Sequence, residues 1–177
     1  GKVLLFTSFT NEEMPNLDSI LTNYGLKRNL GLIIEGDAQH YYPQYPDYLV
    51  PNLSTSSDIT SDLADNTYVM IPDAQATQKL DDYRDTLTIT SLMSTTESSY
   101  SKEITGTDKI TAEKGEGDEE GPFDVGVSVQ ESVGNDKESQ LVYFSSGAML
   151  NDDVDNSVSG GNVSVITKAI TTMCNVD

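Results

Sequence analysis

Cysteine and histidine are nearly absent from this chain, each occurring once, as Cys174 and His40. A single cysteine excludes an internal disulfide. It lies near the C-terminus on an apolar helical stripe, where a free thiol acts as a small hydrophobe, so Cys174 is expected in the core. With one Cys and one His far apart in sequence, a zinc site of the Cys/His type is excluded, and any Ser-His-Asp arrangement must recruit His40. Basic residues are scarce too: 10 Lys and Arg stand against 29 Asp and Glu, a formal charge of −19. Nucleic-acid affinity comes largely from Lys and Arg displacing counterions, so this balance excludes a nucleic-acid partner and makes a solvated acidic surface the expectation. No apolar run approaches the ~18 residues of a membrane span, and no basic-then-apolar leader opens the chain.

Several motifs are also missing. There is no G-x-x-x-x-G-K-[ST] and no G-x-G-x-x-G after a strand, which leaves nucleotide binding unsupported and implies no cofactor. The elbow G-x-S-x-G is absent, because the sequence there reads Phe144, Ser145, Ser146, Gly147, Ala148. A hydrolase reading survives only as Ser146 paired with His40. Asp153, Asp155 and Ser157 occupy calcium-loop positions 1, 3 and 5, but Val158 and Ser164 stand where Gly and Glu are required. No metal site is therefore expected.

What remains reads as alternating strands and helices. Lys2 to Ser8 is an apolar strand of the kind covered on both faces. Leu17, Ile20, Leu21 and Tyr24 follow at helical spacing, with Asn16 as a candidate cap and Gly25 as the left-handed terminator. "LGLIIEGD" is a second strand, which makes residues 1–36 a β-α-β unit with a right-handed, parallel crossover expected. "SDITSDLADN" resembles a short capped helix starting after Ser57 or Asp58, and "TYVMIPDA" and "TLTITSLMSTT" read as strands. In "FDVGVSVQES", Phe123, Val125, Val127 and Val129 alternate onto one face. Leu141 to Phe144 form another buried strand, which leaves through Ser145-Ser146-Gly147, and Asn151 to Asn156 make a polar connection. A final helix carries Val163, Ile166, Ala169, Ile170 and Met173, with Asn162 as its cap.

Two stretches depart from this order. Residues 97–121 are a flexible acidic loop by composition, with few large apolar side chains to offset ordering entropy. "AQHYYPQYPDYLVPNLSTSSD" carries Tyr41, Tyr42, Tyr45 and Tyr48 among Pro43, Pro46 and Pro51. The prolines deny it a regular helix or a central strand. Its four tyrosines are the candidate ligand-binding residues, because Tyr presents apolar area and a polar tip at small entropic cost. The competing reading is a loop stapled to the body by its own rings.

Taken in order, "PNLDSILTNYGL", "GLIIEGD", Pro51, "DITSDLADNTYVMIPDA", "LMSTTESSY", "GPFDVGVSVQE", "QLVYFSSGAMLND" and "NVSVITKAI" resemble the auxiliary component of gliding-motility-type ABC transporters. The resemblance implies an extracytoplasmic part of a longer protein, tethered to the cell membrane by segments outside this stretch. It further implies a non-catalytic role, with the permease and ATPase subunits of the same system as partners. The expected fold is a single α/β domain over 1–177, a three-layer sandwich with a mainly parallel, mixed sheet of flavodoxin-like or amidotransferase-like type.

Overall fold

The computed structural model describes residues 1–63, 67–104, 113–134 and 137–175. The chain is mixed α/β, and its central strand, β11 (Asp124–Ser132), decides the rest of the packing. On one side β11 pairs antiparallel with β12 (Glu138–Phe144). On the other it pairs antiparallel with β8 (Leu87–Ser94) along most of its length, and at Asp124 with β7 (Gln75–Lys79). β1 (Lys2–Phe6) lies parallel to β12. Beyond β7 come β2 (Leu26–Ile34), β9 (Tyr100–Lys102) and β10 (Glu119–Glu120), all antiparallel, and β5 (Asn52–Leu53) pairs with β8.

The mainly parallel sheet expected from the alternating pattern is therefore corrected to a mostly antiparallel one, with β1 and β12 as its parallel pair among the described residues. After α1 (Pro15–Asn23) the chain does not return to the start of β1. Instead Gly25 turns the chain at φ +72° and β2 begins at once. The register runs across from Phe6 to Phe144, Gly126 and Asp124, then to Thr77 and Arg28. β2 thus starts at the sheet end where β1 finishes. Gly25 is required twice over: for its left-handed backbone, and because a Cβ there would lie 2.8 Å from Ile89 Cδ1 and 2.9 Å from Tyr83 Cβ.

Two apolar clusters sit on opposite faces of the sheet. Leu141 and Tyr143 join Leu21 of α1 and Leu26 in one. Val142 and Phe144, alternating with them along β12, join Val165, Ala169 and Met173 of α3 (Gly161–Cys174) in the other. β11 contributes to both. The pairing with β8 shifts register at Gly126, so Phe123 and Val125 pack toward α3 while Val127 and Val129 pack toward α1. The single apolar face expected for these four residues is corrected accordingly: an extra residue in the strand swaps the faces beyond it.

Other expectations change for similar tertiary reasons. β1 is half exposed rather than covered on both faces, because it is an edge strand. Its odd-numbered residues bond to β12 and its neighbours: the Gly1 carbonyl accepts from Gln140, and Thr7 donates to Phe144 and accepts from Gly147. Lys2, Leu4 and Phe6 consequently turn their backbone groups to the open edge. Within 97–121, β9 pairs with β2, and Tyr100 is buried against Leu32 and Ile34, so this part is strand rather than flexible loop. Residues 105–112 of that segment lie outside the described residues. Ser57 closes one capped turn in place of a helix, its hydroxyl accepting from Ile59 N at 3.2 Å and its carbonyl from Ser61 N at 2.8 Å.

At the C-terminal end, α2 (Asp152–Ser157) forms where a polar connection was expected, capped by the Asn151 side chain on Asp153 N. Asp155 Oδ1 accepts from Val163 N at 3.0 Å and so satisfies the start of α3. That frees Asn162 from the capping role expected of it. Asn162 is fully buried, accepting from Met70 N at 2.8 Å and donating to the carbonyls of Met70 and Met149 at 2.9 Å each. The buried stripe of α3 is Val165, Ala169 and Met173, with Ile166 packed beside it, while Val163 and Ile170 are exposed. Cys174 is exposed as well, which corrects its expected place in the core: the stripe rotates past it after Met173.

Truncating Asn162 to Ala strands three buried backbone groups. It is expected to lower unfolding free energy by on the order of 3 kcal/mol in urea titration, with an unchanged m-value. A loss below about 0.5 kcal/mol, the range of ordinary surface substitutions, would show that this node holds nothing.

Candidate functional site

The tyrosine-rich stretch folds as a small three-stranded sheet: β3 (Tyr41–Tyr42), β4 (Tyr45–Leu49) and β6 (Ile71–Pro72). Pro43 presets φ for a two-residue turn, and Gln44 takes the positive φ of +74° that such a turn needs at its next position. β4 is the middle strand despite Pro46, which corrects the expectation that proline bars one. Pro46 falls in the irregular stretch between the Tyr42–Tyr45 and Tyr41–Leu49 pairs, where no ladder N–H is called for. Its carbonyl accepts from Glu35 N at 2.8 Å. Glu35 is itself buried and held, accepting from the Thr96 hydroxyl at 2.6 Å and from Thr96 N at 3.0 Å. The hairpin is thereby fixed to the end of β2.

Three of the four candidate tyrosines come together. The rings of Tyr42 and Tyr45 have centroids 6.1 Å apart, and those of Tyr45 and Tyr48 are 5.4 Å apart, tilted by 37° and 43°. Tyr42 is 42% and Tyr45 51% exposed. Tyr41 pairs in register with buried Leu49 and joins no ring contact among the described residues. The stair is thus a row of aromatic rings on a braced hairpin, exposed at Tyr42 and Tyr45 and half-buried at Tyr48.

Two acids that the sequence reading passed over adjoin Tyr48. Asp73 N donates to the Asp47 carbonyl at 3.0 Å, with Asp73 at φ +51°. Burial, then the charge of Asp47 and a hydrogen bond with it, push the Asp73 carboxyl above the ordinary carboxylate range. Burial first, then Asp73, Asp47 and Tyr45, push the Tyr48 phenol up as well. The signal in the sequence is a repeated dipeptide: Pro46-Asp47 in "YPDY" and Pro72-Asp73 in "IPDA" end up side by side on paired strands.

The hydrolase candidates are occupied separately. Ser146 is buried and its hydroxyl donates to the Pro72 carbonyl, while His40 Nδ1 donates to the Val50 carbonyl at 3.0 Å. Each side chain serves backbone. Among the described residues no three acidic, Cys or His side chains are placed to hold a metal ion.

A separate groove of about 1180 Å³ runs between α1, β2 and β10, lined by Glu13, Asp18, Arg28 and Glu119 among others. Its polar groups are largely consumed internally. Arg28, its side chain 1% exposed, donates to Asp18 Oδ1 at 3.3 Å, Gln75 Oε1 at 3.2 Å and the carbonyls of Thr10 and Glu12. Asn29 and Gln78 hold the Glu119 carboxylate at 2.7 and 2.6 Å, and Lys102 holds Asp118 at 3.1 Å. These bonds tie the 7–14 loop and β10 to the sheet, which is a structural task.

No family model matches the chain, and no curated protein matches it. A solved structure described as "mmIFT52 N-terminal domain" is similar, with a TM-score of 0.63 and 12% identity over 98% of this chain and 64% of that one. This chain therefore spans less than two thirds of that neighbour. At 12% identity the likeness shows the fold alone. It also overturns the resemblance to an ABC transporter auxiliary component: the solved structure found similar is an IFT52 domain, and no family model matches. Among the described residues no helix is long and apolar enough to cross a membrane. The permease and ATPase partners rested on that resemblance and lose their support with it.

Asp73 carries a testable pH signature. A carboxyl whose value is raised in the folded chain favours the fold below that value, and the contribution is lost as pH rises through it. Asp73→Asn, which tolerates a positive φ, is expected to keep or raise the melting temperature at pH 7 and to flatten its pH dependence just above the ordinary carboxylate range. An unaltered pH profile would show that burial and Asp47 do not load this group.

Proposed function

We propose that the chain is a non-catalytic binding module that presents the Tyr42–Tyr45–Tyr48 stair to a segment of another protein, on an α/β scaffold with α1 and α3 covering opposite faces of the sheet as thin outer layers. The observation that carries this reading is a row of three tilted rings, two of them about half exposed, on a hairpin braced by Glu35 and Asp73. Tyrosine rings held in this way supply contact area with little ordering cost on binding. A stair built only to staple its own loop would bury its rings, whereas Tyr42 and Tyr45 are exposed. The engagement of Ser146 and His40 by separate carbonyls supports a binding role over hydrolysis.

Immobilised peptide and glycan arrays probed with the purified protein provide the test. Peptide binding is expected, with Tyr45→Ser weakening it about tenfold while thermal stability holds, since an exposed ring carries binding rather than folding energy. Glycan binding in place of peptide would shift the partner class. Array signal indifferent to Tyr42→Ser and Tyr45→Ser would remove the stair from the function.

A further inference from the structure

The identity of the group that docks on the stair follows from what surrounds it. The chain has ten Lys and Arg residues, and among the described residues the ion pairs they form are with Glu138, Asp18, Glu131, Asp118, Glu120 and Asp62. Among the described residues none pairs with Asp47 or Asp73. Lys79 lies over Tyr83 and Lys102 over Tyr100, so this chain places its own cations on other rings and leaves the stair without one. The result is a set of aromatic faces beside two adjacent carboxyls that repel each other and have no counterion among the described residues.

We propose that the stair receives an arginine side chain from the partner segment, its guanidinium lying on the Tyr45 and Tyr48 faces and its N–H groups directed to Asp47 and Asp73. This deepens the binding reading above and rests on it. A planar guanidinium stacks on aromatic faces, is weakly hydrated and forks onto carboxylates, three properties an ammonium does not combine. Its arrival relieves the mutual repulsion of the acids, which together with burial pushes the Asp73 carboxyl above its ordinary value. The overall charge of −19 adds steering toward a basic segment, while the paired acids beside the rings define the spot.

The probe is a blocked Gly-Arg-Gly-Arg-Gly peptide, compared with the same peptide carrying citrulline, a neutral isostere, by titration at low salt while following the tyrosine ring resonances. The arginine peptide is expected to shift the rings of Tyr42, Tyr45 and Tyr48 and to bind about tenfold more tightly than the citrulline peptide. Asp47→Asn with Asp73→Asn is expected to erase that difference. Asp81→Asn with Asp82→Asn, an equal charge change at exposed positions, is expected to leave it intact. Where the double site variant fails to fold, Asp47→Asn alone and Tyr45→Ser give the same reading. Equal binding of the two peptides overturns the arginine assignment and leaves the stair a neutral docking face. Arginine preference that survives at the site variants but falls in the Asp81 and Asp82 variant assigns it to diffuse charge and also overturns it. If neither the array ligands nor either peptide moves the rings, the binding reading itself fails.

Discussion

The packing depends on one position where β11 must come within reach of both neighbours without a side chain. A Cβ at Gly126 would lie 2.8 Å from Met93 Cγ and 3.0 Å from the Phe144 ring. Its absence lets β8 and β12 close on the strand exactly where the register with β8 slips, and that slip sends Phe123 and Val125 to one face and Val127 and Val129 to the other. One strand therefore nucleates two cores. α1 and α3 are held by different parts of one stretch, residues 123–132, so neither helix can be loosened without a consequence for the strand that also anchors the other.

Local signals announced the elements that depend on local chemistry. The terminator Gly25, the end of β12 at Phe144 and the strand character of β8 and β11 follow from backbone freedom, burial and β-branching within a few residues. Elements that depend on distant partners were not announced. β7 reads "QATQK", a polar run that earns its place because the Gln75 amide lies within 3.0 Å of the Asn29 and Leu30 carbonyls, where β2 leaves the regular ladder. β9 lies in an acidic tract and is a strand only because Leu32 to Ile34 offer a paired edge. Strand direction was misread for the same reason, since it is set by the antiparallel pairing of β2 with β7 and β9 and not by the order of elements.

Much the same division applies to the site. The tyrosines were visible as residues, and proline spacing marked the segment as irregular. Their arrangement was not visible, because it needs β6 to arrive from more than twenty positions downstream and set the second Pro-Asp beside the first. The turn at Ser145 and Ser146 shows the converse. Hydroxyls that suggest a nucleophile in a linear reading are buried hydrogen-bond donors, Ser145 to the Val125 carbonyl at 3.3 Å and Ser146 to that of Pro72, joining the main sheet to the small one. Small residues here permit close approach, and their oxygens settle the carbonyls that approach would otherwise leave unpaired.

The open side of β1 gives the acidic composition a structural meaning. Lys2, Leu4 and Phe6 offer unpaired backbone groups along an apolar strand, the template on which chains of one kind stack into sheets. At neutral pH every copy carries the same strong negative charge, and two such edges meet only against that repulsion. The charge vanishes near the isoelectric point of about 4.1, where the edge is bare of its defence. The surplus of Asp and Glu thus acts as a colloidal guard: it protects a sheet whose first edge no helix or strand among the described residues pairs with.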